Sequence, residues 1–144
     1  MKPSELTALQ AAELAHEHAD AELHPDLEKL MATLVAEPVF EFHPPGRSLR
    51  GGEQIRRHYT QFLANFMPQV ESTQLLGEWG DENAVVQEYT LSVRGDDGEL
   101  ESHRVVAVLY MSVTRMGGER IYGSGKAIRM MLGEMYAELQ EIDA

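Results

Sequence analysis

Residues 100–115 set the tightest limit on the architecture of this chain. Val105, Ala107, Leu109, Met111 and Val113 share one parity of that stretch, and Val106, Val108 and Tyr110 share the other. Successive side chains of a strand point to opposite faces, so this strand is apolar on both sides and must be covered twice. Helices can supply one cover. The other face is an expected homodimer surface, because an apolar stripe of that length is a liability on a monomer.

The helices come first in the chain. Ser4 can cap a helix running to about Leu23, with Ala8, Ala11, Ala12, Ala15 and Ala19 on one side and Glu13, Glu17 and Asp20 on the other. His16 and His18 flank the alanine side from opposite edges. His24-Pro25 breaks this helix, and Leu27, Leu30, Met31, Leu34 and Val35 predict a second. Residues 38–43 alternate as a short strand that Pro44-Pro45 halts, pinning His43 at its end. Gly51-Gly52 open a third helix with Ile55, Tyr59, Phe62, Leu63 and Phe66 on its apolar stripe and His58 at the solvent edge.

After Met67-Pro68 the period changes from 3.6 to 2. Strands are expected at 74–79, 84–94 and 100–115, with turns at 80–83 and at Gly95-Asp96-Asp97-Gly98. Met116-Gly117-Gly118 reads as a further turn into a last strand from Arg120. Ile128, Met131, Leu132, Met135, Leu139 and Ile142 then recur at helical spacing, interrupted by Gly133.

A length of 144 residues fits one domain, with a core over about 6–125 and a helical tail over 126–144. The absence of cysteine excludes disulfides, thiolate metal sites and a cysteine nucleophile, and it fits a reducing cytoplasm. The net charge of -12 opposes phosphate backbones, so nucleic acid is not an expected partner. No stretch approaches the ~20 apolar residues that cross a bilayer, and Met1-Lys2-Pro3-Ser4-Glu5 lacks the pattern of a signal peptide. A soluble, cytoplasmic chain without membrane partners is the expectation.

Helices, a short strand, a further helix and then a meander of long antiparallel strands make an order that resembles the nuclear transport factor 2-like superfamily, including the ketosteroid isomerases and the SnoaL-like polyketide cyclases. The residues that carry the resemblance are Leu34-Val35-Ala36-Glu37-Pro38, His43-Pro44, Gly46 with Leu49-Arg50-Gly51-Gly52, Ile55-Arg56, Tyr59, Tyr89-Thr90-Leu91-Ser92-Val93 and Arg104-Val105-Val106-Ala107-Val108-Leu109-Tyr110. The resemblance implies an α+β cone, a curved and mostly antiparallel sheet packed on helices around a pocket. It places the isomerases' catalytic base on His43, their buried acid on Tyr110 and, with one residue inserted, their first-helix tyrosine near His18. None of those three identities is retained, although each replacement can do related work.

Imidazole titrates near working pH with little tuning, which makes His43 the expected base. Tyr110 would donate to a developing oxyanion, and His18 would act as a second acid or an orienting group. Phe40, Phe42, Tyr59, Phe62, Phe66, Trp79, Tyr89, Val106 and Val108 are the expected pocket lining, joined by Arg104 on the parity of Tyr110. His16 with Asp20, and Asp20 with His24, have i, i+4 spacing but no metal signature, so neither metal nor cofactor is expected. Two functions fit these residues: a cofactor-independent isomerase, dehydratase or cyclase abstracting a proton beside the carbonyl of a hydrophobic small molecule, or a non-catalytic ligand-binding or dimerisation module.

Overall fold

Thr7, and not Ser4, begins the first helix. Its hydroxyl accepts from the Gln10 amide while the Gln10 side chain accepts from the Thr7 amide, a reciprocal capping box that opens α1 (Ala8–Leu23). Ser4 instead forms a parallel bridge to Val113. Asp26 caps α2 (Leu27–Ala32), which is shorter than its apolar spacing predicts. Leu34 and Val35 belong to β1 (Leu34–His43), since Pro38 drives the residue before it into extended backbone and Val35 favours a pleated surface.

The chain reverses through Pro44 to Gly46 into β2 (Arg47–Arg50), then enters α3 (Gly52–Gln61). A π turn over Phe62–Phe66 and a 3-10 turn over Met67–Gln69 follow. The meander consists of β3 (Val70–Gly80), β4 (Ala84–Arg94), β5 (Leu100–Ser112) and β6 (Arg115–Tyr122). The reversal between β5 and β6 lies at Val113, which adopts a φ of 56°, and not at Met116-Gly117-Gly118. The glycine pair serves a close approach: Gly118 has a φ of 150°, and a Cβ there would run into the Val39 carbonyl.

The computed structural model describes residues 1–143. Its α+β fold is a seven-stranded sheet in the order β3-β4-β5-β6-β1-β2-β7, where β7 is the short Gln140–Glu141, antiparallel throughout except where β1 runs parallel to β6. Helices α1 to α3 fill its concave side. The tail is not one long helix. Gly133, at a φ of 50°, ends α4 (Gly125–Leu132), and a 3-10 turn leads to β7 (Gln140–Glu141) against β2. No helix of the described residues is long and apolar enough to cross a membrane.

Alternation decides what the hollow contains. On β1, Phe40 and Phe42 are fully buried inward, which turns Glu41 and His43 to the other face. On β5 the inward residues are Val105, Ala107 and Leu109, so Arg104, Val106, Val108 and Tyr110 face outward. On β6, Glu119 and Ile121 face inward.

Candidate active site

The sheet and helices enclose a cavity of about 370 Å³ whose lining is mostly apolar: Phe42, Phe62, Phe66, Leu91, Leu109 and Ile121 among others. It is roughly two and a half times the ~150 Å³ that holds a benzene, so it has room for two or three fused rings. Leu23 and Leu75 line it while being 50% and 55% exposed, and they mark its mouth between α1 and β3. There His16 Nε2 lies 2.7 Å from Glu78 Oε2, whose other oxygen accepts from Gln87 at 2.9 Å.

One polar cluster interrupts the apolar wall. Ala11, Ala15, His18 and Glu22 recur at i, i+4, i+7 and i+11 on α1, so the stripe that packs against the sheet ends in two titratable groups. The Thr33 hydroxyl donates to the Leu30 carbonyl at 2.6 Å, so it can only accept from His18 Nδ1–H, at 2.8 Å. His18 Nε2 therefore faces Tyr59 Oη at 2.9 Å and Glu119 Oε2 at 3.2 Å, and Tyr59 donates to the same Glu119 oxygen at 3.0 Å. This network is fully satisfied when His18 carries both ring protons and Glu119 is ionised. Burial disfavours the charge on His18, but the hydrogen bond to Glu119 and the charges of Glu119 and Glu22 outweigh it and raise the pKa.

Glu22 completes the cluster from the other side, its nearer oxygen 3.9 Å from His18 Nε2. Burial pushes its carboxyl up to about 7, with His18 pulling it down and Glu119 pushing it further up. Its side chain keeps 22% exposure, and Glu22 lines the cavity, so the carboxyl is reachable from inside. Tyr89 also lines the cavity, its hydroxyl unpaired among the described residues and held protonated by burial and by the nearby charges of Glu22 and Glu119. His18, Glu22 and Glu119 place one ligand atom each within 4.8 Å of one another, and they are the residues that could hold a divalent cation.

No family profile and no curated protein matches the sequence. Solved structures do match. A protein assigned as a SnoaL-like polyketide cyclase from Jannaschia sp. CCS1 superposes with a TM-score of 0.72 at 15% identity, over 87% of this chain and 92% of that one. A nuclear transport factor 2-like protein from Anabaena variabilis gives 0.66 at 18% identity, over 81% and 90%. An LEH-like epoxide hydrolase from M. tuberculosis gives 0.66 at 17% identity, over 90% and 94%. The fold is the nuclear transport factor 2-like cone.

Within this nuclear transport factor 2-like cone the residues singled out from sequence divide cleanly. His18, Phe42, Tyr59, Phe62, Phe66 and Tyr89 line the cavity, and Phe40 is buried behind it with its ring edge-on to Tyr59 at 5.7 Å. His43 does not reach it. Its ring stacks on Tyr122 on the outer face, with centroids 4.6 Å apart and planes within 8°, and its Nε2 lies 3.5 Å from Glu41. Tyr110 is likewise outside: its hydroxyl donates to the Val39 carbonyl, and the Arg120 guanidinium lies 5.0 Å over its ring. Arg104, Val106 and Val108 share that outer face by strand parity, and Trp79 is 58% exposed beyond the cone.

The sequence reading missed Glu22, Glu119 and His58. His58 is only 3% exposed and lies inside the apolar stripe of α3, three residues from Ile55 and four from Phe62. The signal for Glu22 was its i, i+4 spacing from His18 on the alanine side. Glu119 was hidden by reading the preceding glycines as a turn, which misplaced the parity of β6.

Proposed function

We propose that the cavity is the reaction chamber of an acid–base enzyme that moves a proton at a carbon beside the carbonyl of a hydrophobic compound. Isomerisation, dehydration and cyclisation all pass through such a step. Glu22 is the base: a carboxylate with a pKa of about 7, free of hydrogen-bonding partners among the described residues and open to an apolar hollow, carries this reading. His18, held by Thr33, Tyr59 and Glu119, favours the ionised form of Glu22 while Glu119 opposes it, and together they fix the field around the base. Tyr89 supplies an O–H to the oxygen on which negative charge develops. Proton transfer of this kind needs only these side chains.

The test is exchange of the acidic C–H protons of 2-tetralone, a bicyclic ketone of fitting size, into deuterium oxide, followed by proton NMR. Catalysed exchange is expected with the wild type and is lost in Glu22→Gln with ligand affinity kept. Binding of the ketone without any catalysed exchange would leave a carrier in place of an enzyme.

A further inference from the structure

His58 is a buried imidazole that the proton-transfer chemistry does not use. Its tautomer follows from its neighbours. Gln61 Nε2 lies 3.0 Å from the Met131 carbonyl, which can only accept, so that atom is the amide NH2. The same NH2 lies 3.3 Å from His58 Nδ1, which therefore accepts. The ring proton is left on Nε2.

That N–H has no protein acceptor among the described residues. No side-chain nitrogen or oxygen sealed from solvent lacks a partner among them, so the unpaired Nε2 opens onto the cavity that His58 lines. Around the imidazole stand the rings of Phe42, Tyr59 and Phe62, 5.7, 5.1 and 5.7 Å from it centroid to centroid, and no carboxylate pairs with it. Burial alone depresses its pKa to about 3, so the ring stays neutral at working pH. A neutral N–H in an apolar wall costs free energy until an acceptor meets it.

We propose that His58 is a specificity-determining hydrogen-bond donor that selects ligands carrying an oxygen acceptor, a keto, ether or hydroxyl oxygen, on the side of the cavity formed by α3 and α4. The ligand class is thus an oxygenated fused-ring compound and not a hydrocarbon. Residues of α4 take part through the Met131 carbonyl, which aims Gln61 and so fixes which imidazole nitrogen bears the proton. The inference rests on the cavity being a ligand site and is independent of Glu22 acting as the base.

The experiment pairs 2-tetralone with tetralin, the same frame without the oxygen, on protein labelled with 15N at histidine. In the free wild type the His58 ring is expected as the neutral Nε2–H tautomer between pH 5 and 8. Its Hε2 resonance should move downfield on adding 2-tetralone and stay in place with tetralin. In His58→Phe, 2-tetralone affinity should fall about tenfold while tetralin affinity holds.

Three results would overturn the proposal: an Nδ1–H tautomer or a charged ring in that pH range, equal losses for both ligands in His58→Phe, or a ketone preference that survives there and disappears in Tyr89→Phe. If His58→Phe does not fold, the resonance shift in the wild type still decides. None of these readouts is turnover, so failure here leaves the Glu22 exchange assay standing, and the converse holds.

Discussion

Glu22 Oε1 stands 3.9 Å from His18 Nε2, one turn along the same helix, and no described residue donates a hydrogen bond to its carboxyl. In the function proposed above, this carboxyl, without a hydrogen-bond donor and beside an imidazole already bonded to Glu119, takes the proton from the ligand. Exchange of 2-tetralone protons should rise with pH through about 7 in the wild type, following ionisation of Glu22. Glu22→Gln should lower the rate at least about 100-fold and abolish that limb. Chelators should leave the wild-type rate unchanged, and a loss on chelation would reassign His18, Glu22 and Glu119 to a cation.

The same groups mark stability against pH in opposite senses. The Glu22 carboxyl rises from 4.5 to about 7 on folding, so its stabilising contribution is complete below 4.5 and is lost as pH climbs through about 7. His18, raised above 6.5, acts in the same sense. His58 falls from 6.5 to about 3, so its contribution is present above 6.5 and is lost as pH drops toward 3. Urea unfolding across this range should show Glu22→Gln flattening the neutral limb by about 3 kcal/mol and His58→Phe flattening the acid limb by about 5 kcal/mol. Unchanged slopes in either variant would mean that the group ionises as it does in water.

Tyr110 and His43 should prove structural. Tyr110→Phe removes the donor to the Val39 carbonyl, at a cost of about 1 kcal/mol, and lowers the melting temperature by a few degrees. His43→Ala removes the stack on Tyr122. Exchange rates in both variants should stay within about twofold of the wild type; a tenfold loss in either, with an intact circular dichroism spectrum, would bring the outer face back into the chemistry.

The order of helices and strands was legible because period and breakers are local properties of sequence. Val85, Gln87, Tyr89, Leu91 and Val93 were placed on one face by alternation alone, and all five are buried or line the cavity in register with β5. The faces of β1 and β5 were not legible in the same way. A strand that is apolar on both sides does not announce which parity looks inward, and a turn histidine beside a double proline draws attention away from Phe40 and Phe42, whose burial decides the matter. Glu119 and His18 meet across 101 residues of chain, a contact that no local pattern carries.

The outer face of the sheet presents Trp79, Val86, Val106 and Val108 around the Arg104–Glu88 ion pair, whose nearest atoms are 3.8 Å apart. We propose that a second copy of the chain covers it, burying the apolar residues and letting the charges exchange partners across a two-fold axis. Sedimentation should find a dimer at micromolar concentration and a folded monomer for Val108→Glu. A wild-type monomer at tens of micromolar would refute this.

Gly118 lets β6 dock beside Val39, and that parallel seam joins a strand made early in translation to one made late. Until the ribosome has delivered residues 115–122, Phe40 and Phe42 have no neighbour on that edge and the hollow lacks a wall. From the emergence of β1 to that of β6 the nascent chain thus leaves these aromatic rings uncovered on that edge, an interval in which chaperones that grip aromatic segments can bind.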